Sequence, residues 1–435
     1  MTQPQILEIL KSGQNAFLTG PAGCGKTFLL NQYIEYLKKN SVEVGITAST
    51  GIAATHLNGR TIHSWCGMGI SHKLTKPQIK KLSRKRHLKQ RIKNTKTLII
   101  DEISMLDSTR LDLVDKICKE FKKDTRPFGG MQVVLCGDFF QLPPVSRNNE
   151  NGKFITESKI WKQMDIKICY FEEQFRQEDE LFLKVLNDIR SSSVTQETCA
   201  ILEERINKVI DTDIKPTKLH THNSDVDTYN DLELNILEGA EAIFHMDSYG
   251  PTPLVQALIK HCLTSETLRL KIGAVVMFVR NNFDKKYVNG TLGKIIDFDD
   301  DNGYPVVETT SGDTIVASPE RWVVEENGTD IAALTQVPLR LAWAITIHKS
   351  QGMSLDSAEI DLSKTFEYGM GYVALSRVRS LEGITLMGIN ELALQVNEEA
   401  TKLDKELYSR SSEDLKEYLK LKKKDLEKLQ KDFIK

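Results

Sequence analysis

Apolar and polar positions alternate over residues 1–140 in a rhythm that switches repeatedly between the strand period and the helix period. "NAFLTG", "VEVGITAS", "KTLIIDE" and "MQVVLCGD" are short apolar runs bounded by polar or glycine-bearing turns, and each predicts a strand. Between the first two, "KTFLLNQYIEYLKKN" carries its apolar residues at helical spacing. This alternation predicts an α/β domain whose parallel sheet is covered on both faces. After about Phe175 the pattern restarts, with a helix in "DELFLKVLNDIRSS" and a strand in "TKLHTHN". From Lys271 the texture changes: "KIGAVVMFVRNN", "LGKIIDF", "YPVVETTSGDTIVAS" and "RWVVEE" are short strands separated by "DDDNG" and "SGD" turns, the pattern of a small all-β unit. Alternation of helix and strand resumes at "VPLRLAWAITIHKSQG", so the β unit is expected to be an insertion within a second α/β domain. From about Val396 the chain is charged and helix-prone. Ser411 and Asp414 can form a capping box ahead of Leu415, Leu419, Leu426, Leu429 and Phe433. Lys422 breaks the near-heptad seam, which favours a helical appendage packed on the core over a self-associating coil.

Composition narrows the class without naming it. At 435 residues, 40% hydrophobic and 27% charged, the chain is an ordinary globular protein of about two to four domains. It has no apolar run long enough for a membrane-spanning helix, and "MTQPQILEIL" lacks the pattern of a secretory signal. The seven cysteines include no CxxC pair, which argues against a zinc site or a disulfide framework, and a thiol in a glycine-rich loop suits a reducing cytoplasm. The net charge of −2 gives no whole-chain support for nucleic-acid binding. One local exception is Lys73 to Lys96, with eleven Lys or Arg and no acidic residue. Ile79, Leu82, Leu88 and Ile92 within it fit amphipathic helical turns, so a solvated helix face and a patch that attracts DNA phosphates both suit this run.

"GPAGCGKT" satisfies the phosphate-loop pattern G-x-x-x-x-G-K-[ST] through Gly20, Gly25, Lys26 and Thr27. Glycines let backbone N–H groups approach phosphates, and the helix that follows aims its positive end at them. Lys26 would reach the β- and γ-phosphates and Thr27 would hold Mg²⁺. At the end of "TLIIDEIS", Asp101 can hold a water on Mg²⁺ while Glu102 polarises the attacking water, a pairing that favours hydrolysis over binding alone. A third strand exit, "LCGDFFQLPPV", brings Asp138 and Gln141 to the same sheet edge, with Pro143 and Pro144 stiffening the loop. Gln141 suits hydrogen bonding to a γ-phosphate.

Taken in order, "GPAGCGKT", "TASTGIAA", "GRTIHSW", "IIDEISM", "LCGDFFQLPPV", "EQFRQ", "AITIHKSQGMSL" and "GYVALSRVR" resemble the motifs of Pif-type DNA helicases, the petite-integration-frequency group of superfamily 1B, related to RecD. "RPFGGMQ", Arg126 to Gln132, resembles the group's own signature. The resemblance covers residues 1–395 and is weakest over Lys73 to Lys96 and in the tail. It implies two RecA-like parallel-sheet lobes, 1–178 and 179–283 with 338–395, an inserted SH3-like β-barrel at 284–337, a small wedge within 62–97 and a helical C-terminal appendage at 396–435. ATP and Mg²⁺ are the implied ligands. Gln3 matches the adenine-reading glutamine, and Gly23, Cys24 and Phe28 complete the nucleotide-binding stretch. Arg176 and Arg377 match arginines that close on the γ-phosphate from the two sides of the cleft. Gln351 and Gly352 lie in a loop facing both nucleotide and DNA. An arginine is the natural partner of a transferring phosphoryl, and one supplied by a second lobe makes hydrolysis depend on closure.

The DNA candidates are Thr47, Ser49 and Thr50, then Thr61, His63 and Trp65, and in the second lobe Thr346, His348, Lys349, Ser350 and Gln351. Hydroxyls and backbone amides on loops suit phosphate contacts that position without reading sequence. Trp65 could stack on a base or fill the core, and His63 and His348 could equally be satisfied core residues. The resemblance implies 5′→3′ travel of a monomer on single-stranded DNA. It also implies unwinding of forks, single/double-strand junctions, RNA–DNA hybrids and G-quadruplexes, and roles in repair, recombination and telomere maintenance. The compact chain suggests a bacterial or phage source. Two rivals stay open on the residues: a DNA-stimulated ATPase that remodels a partner without unwinding, and a small-molecule phosphate-loop enzyme. The paired arginines and the second α/β lobe argue against the latter.

Overall fold

A computed structural model describes the chain except residues 70–72, 142–153, 176, 178, 211–214, 222–225, 283 and 327–328. Among the described residues the first lobe holds six parallel strands: β1 (Asn15–Thr19), β2 (Val44–Ala48), β3 (Arg60–Thr61), β4 (Thr97–Asp101), β5 (Gln132–Cys136) and β6 (Ile166–Tyr170). They lie in the order β3-β2-β4-β5-β1-β6. The four apolar runs of the sequence are β1, β2, β4 and β5. Every residue of β4 and β5 is buried because helices cover both faces. On one face lie α1 (Gln3–Lys11) and α2 (Lys26–Lys39), which bury Ile6, Leu10, Leu29 and Tyr33 in a common cluster. The opposite face takes the helix Ser108–Lys122 through Leu111, Val114, Ile117 and Phe121. Each such side chain contributes about 1.5–3 kcal/mol of burial. "RPFGGMQ" forms the turn into β5, and Gln132 ties the layers together. Its amide donates to Leu10 O and Gln14 O, both at 2.9 Å, and accepts from the Tyr33 hydroxyl at 2.7 Å.

The second lobe has a four-stranded parallel sheet in the order Ala344–Thr346, Thr217–His220, Ala358–Leu362, Ile384–Ile389. Between its strands at Thr217–His220 and Ala344–Thr346 lie three antiparallel sheets that together span 242–341. This region is wider than the insertion expected at 284–337. Val275–Phe278, which that boundary placed in the second lobe, is an interior strand of a five-stranded antiparallel sheet between Leu292–Phe298 and Leu339–Leu341. Ala242–His245 and Asp247–Tyr249 are short and largely exposed, so no apolar run announced them.

The basic run forms two short helices, Lys76–Leu82 and Arg86–Asn94, which bury Ile79, Leu88 and Ile92 and leave most of the lysines exposed. The tail is a helical appendage packed on the first lobe, and its expected capping box is not formed. Glu398–Lys420 is one continuous helix capped by Asn397, and Ser411 lies buried inside it. The Ser411 hydroxyl accepts the Tyr170 N–H at 3.0 Å, and Asp414 accepts the Ile168 N–H at 2.8 Å. These alternate N–H groups point outward from β6, an edge strand, so the helix side chains complete the edge that no further strand pairs. A last helix, Lys423–Ile434, returns to α1, where Gln430 donates to Glu8 at 2.6 Å. Among the described residues no helix is long and apolar enough to cross a membrane.

Candidate nucleotide site and nucleic-acid face

Because β4, β5 and β1 are neighbours, the loops leaving their carboxyl ends meet at one edge. Gly23 and Gly25 have φ of 82° and 84°, a left-handed backbone that keeps the loop tight and brings its amides inward. α2 starts at Lys26 with its N-terminus facing the cleft. The Lys26 ammonium turns back onto Gly20 O and Pro21 O, both at 2.9 Å. Burial opposes its charge, but the Cys24 thiol and the Asp138 carboxylate outweigh that and raise its pKa. Gln3 donates to Cys24 O at 3.4 Å and so lies against the loop. Phe28 and Phe175 are 55% and 57% exposed at the cleft wall. Two open aromatic faces beside a glutamine amide fit the apolar faces and polar edge of a base. Sequence reasoning missed Phe175, although "EQFRQ" contains it.

At the end of β4 the Asp101 carboxylate accepts the Glu102 N–H at 2.8 Å, and Ser49 donates to Glu102 O at 2.5 Å. Glu102 is held with φ 49° and ψ 46°, unusual for a residue with a Cβ and typical of constrained sites. Burial raises the pKa of Asp101. Burial and then the neighbouring Asp101 push Glu102 up to about 7, against the pull of Lys26 and Arg377. Among the described residues the buried Glu102 Oε2, Gln141 Oε1 and Gln351 Nε2 have no partner. Their residues line one cleft of about 930 Å³ with Lys26, Thr27 and Asp101. Two carboxylates, a hydroxyl, an ammonium, a helix N-terminus and unbonded amides fit a nucleoside triphosphate with a divalent cation. Pro143 and Pro144 lie outside the described residues.

The second lobe supplies the facing wall. His348, Lys349, Gln351 and Gly352 follow its strand Ala344–Thr346 and line the same cleft, as does Arg377. The Arg377 guanidinium is buried and donates to Val373 O and Ser376 Oγ, both at 2.8 Å, while facing the charge of Glu102. Arg176 lies outside the described residues. Its neighbour Gln177 donates to Ser376 O and Val378 O, both at 3.1 Å, which pins this segment to the turn bearing Arg377. Tyr372 crosses between the lobes: its hydroxyl accepts the phosphate-loop Ala22 N–H at 3.1 Å.

Several DNA candidates are corrected by their surroundings. Trp65 is 2% exposed, and its indole lies where a side chain on Gly45 would stand, so of its two readings the core one holds. Thr47 is buried and donates to Ile99 O at 2.6 Å, Ser350 is buried and donates to Ile347 O at 2.8 Å, and Ser49 serves Glu102. Thr346 is buried and accepts the Lys349 N–H at 3.3 Å. Thr61 accepts the Ser64 N–H at 3.3 Å and caps the helix Ile62–Trp65. These hydroxyls seal strand and helix ends, a demand that a serine or threonine meets as readily as a phosphate contact. Thr50, Thr61, His63, His348, Lys349 and Gln351 are partly exposed, and all but Thr61 and His63 line the cleft. His348 lies 4.0 Å from Glu367.

Fold and cleft together define a phosphate-loop nucleotide-binding protein with two parallel-sheet lobes. A family model described as PIF1-like helicase matches residues 3–198, and one described as DNA helicase Pif1, 2B domain, matches residues 254–298, within the antiparallel insertion. The chain is 44% identical to the ATP-dependent DNA helicase Pif1 of Psychrobacter sp. over 91% of its own length and 69% of that protein. It is 39% identical to the zebrafish (Danio rerio) ATP-dependent DNA helicase PIF1 over 91% of its own length and 62% of that one. Bacteroides sp. Pif1 in complex with ADP-AlF4 matches with a TM-score of 0.80 at 30% identity, covering 94% of this chain and 96% of that one. Bacteroides Pif1 bound to single-stranded DNA matches with a TM-score of 0.62 at 31% identity, covering 95% and 97%. The chain belongs to the PIF1-like helicase family. It spans about two thirds of the length of these curated relatives, 69% and 62% respectively.

Proposed function

We propose that the chain is an ATP-driven DNA helicase that moves 5′→3′ on single-stranded DNA and opens forked duplexes, RNA–DNA hybrids and G-quadruplexes. The observation that carries this reading is the shared cleft: Lys26, Asp101, Glu102 and Gln141 of one lobe face Gln351 and Arg377 of the other. Lys26 holds the phosphates, Thr27 and Asp101 hold Mg²⁺, and Glu102 draws the proton from the attacking water. A Mg²⁺ ion held by these residues would supply neutralisation of the phosphate charge. Gln141 senses the γ-phosphate, and Arg377, with Arg176, bears on the transferring phosphoryl when the lobes close. An arginine in this role is worth about 10³–10⁵ in rate in related chemistry. Closure and reopening of the lobes then alternate the grip on the strand between the first-lobe loop bearing Thr50 and the second-lobe loop bearing His348, Lys349 and Gln351. The neighbours solved with ADP-AlF4 and with single-stranded DNA support both ligand classes.

Strand separation on two matched duplexes, one with a 5′ tail and one with a 3′ tail, tests the proposal. Unwinding of the 5′-tailed duplex alone is expected. Activity confined to the 3′ tail refutes the polarity. Hydrolysis stimulated by single-stranded DNA with neither duplex opened refutes unwinding and favours a remodelling ATPase.

A further inference from the structure

Arg190 is the last residue of the helix Glu180–Arg190 and is buried, yet it carries a charge that the chemistry above does not use. Its guanidinium donates to both Asp138 carboxylate oxygens, at 2.8 and 3.0 Å, and to Asp404 at 2.9 Å. It also donates to the hydroxyls of Tyr372 and Tyr170, each at 3.3 Å, and lies over the Phe140 ring at 4.1 Å. Tyr170 in turn lies 3.1 Å from each Asp404 oxygen. The Asp138 side chain is fully buried, and Arg190 and its own loop compensate that charge.

The parts joined here are parts that a nucleotide would move. Asp138 and Phe140 belong to the loop that ends in Gln141, whose Oε1 is buried and unbonded at the cleft. Tyr372 sits on the helix Met370–Leu375 just ahead of Arg377, and the same hydroxyl that meets Arg190 accepts the Ala22 N–H of the phosphate loop. Asp404 comes from the C-terminal helix. A buried ion pair is a poor way to gain stability, because apolar side chains of equal volume fill such a site at lower desolvation cost. A fork of fixed donors is a good way to hold several loops in one register. If the loop around Gln141 shifts when a γ-phosphate arrives, Arg190 is the rigid link to the helix that leads into the Arg377 turn and to the tail.

We propose that Arg190, anchored by Asp404, is a positioning residue that aligns the Asp138–Gln141 loop with the Met370–Leu375 helix and the Arg377 turn after it, and so couples the helix Glu398–Lys420 to the nucleotide cleft. This inference rests on the proposed function, and its test is separable from it. In the full chain, Asp404→Asn keeps shape and removes the anchor charge. With saturating single-stranded DNA its kcat is expected to fall about tenfold while the KM for ATP stays within about twofold, and Asp404→Glu is expected to recover part of the loss. A lowered unfolding midpoint with unchanged kcat per folded molecule overturns the inference and leaves Asp404 a brace. If the unsubstituted chain hydrolyses no ATP with single-stranded DNA, the proposed function fails, and hydrogen exchange decides the inference alone. ADP with aluminium fluoride and Mg²⁺ is then expected to slow exchange at amides 400–408 in the unsubstituted chain but not in Asp404→Asn. No nucleotide effect on those amides in the unsubstituted chain overturns it.

Discussion

Glu102 combines a left-handed backbone, a buried unbonded oxygen and a carboxylate neighbour, each of which works against the nucleotide-free fold. Such arrangements persist where a ligand later uses them. Glu102→Gln keeps the shape and removes the base, so DNA-stimulated turnover is expected to fall by about 10²–10⁴ while a fluorescent ATP analogue still binds. Lys26→Ala is expected to lose that binding as well. The same glutamate gives a pH signature without Mg²⁺ or nucleotide. Its folded pKa of about 7 lies above the ordinary 4.5, so between those values the folded state binds more protons than the unfolded one. Its effect therefore lowers stability as pH rises towards and through 7. In EDTA the free energy of unfolding is expected to fall from pH 5 to pH 8, and Glu102→Gln to remove about 2–3 kcal/mol of that fall. That Lys26, Asp101, Glu102 and Gln141 line one cleft was legible because each lies at or just after the end of an apolar strand. Burial was not: Trp65 and Thr47 share their motifs with accessible residues, and only packing separates them. Arg190 did leave a trace, since it falls four residues after Leu186 and eight after Phe182, on the buried stripe of its helix.

At the scale of elements, the central strands declared themselves and the edges did not. β4 and β5 are wholly buried inside the sheet, whereas β3 has two residues and β6, "IKICY", carries a lysine on its tail-facing side. The tail shows the physical reason for such misses. Ser411 and Asp414 have the spacing of a helix start, yet the same spacing in mid-helix sets both on one face, where they meet alternate N–H groups of β6. Local pattern supports either use, and only the position of the edge strand decides. The inserted sheets were misjudged at their start for a related reason, since their first strands bury little of their own. Asp414→Ala leaves the Ile168 N–H and the Lys167 ammonium without that partner. It is expected to cost about 1–3 kcal/mol in denaturant unfolding, whereas Glu417→Ala, at a mostly exposed carboxylate, should change stability by less than about 1 kcal/mol.

For the whole molecule, a net charge of −2 conceals a strongly uneven distribution. Ile79, Leu88 and Ile92 anchor the two helices of the basic run to the first lobe's core, and Arg91 donates to Trp65 O at 2.9 Å. Folding thereby fixes the exposed Lys80, Lys81, Arg84 and Lys89 on one appendage instead of scattering them along a flexible loop. Trp65, lost as a stacking platform, serves this arrangement from beneath. Fixed positive charges on such an appendage attract nucleic acid and release its condensed counterions, which salt dependence reports directly. Replacing Lys80, Lys81, Arg84 and Lys89 by Gln is expected to weaken forked-duplex binding at low salt. It should also make log K against log salt shallower by about 0.9 for each duplex phosphate that is no longer neutralised. The kcat for ATP at saturating single-stranded DNA should not change, because none of the four lines the nucleotide cleft. An unaltered salt slope would assign the run to solvation alone and return the whole of DNA attachment to the loops at the cleft.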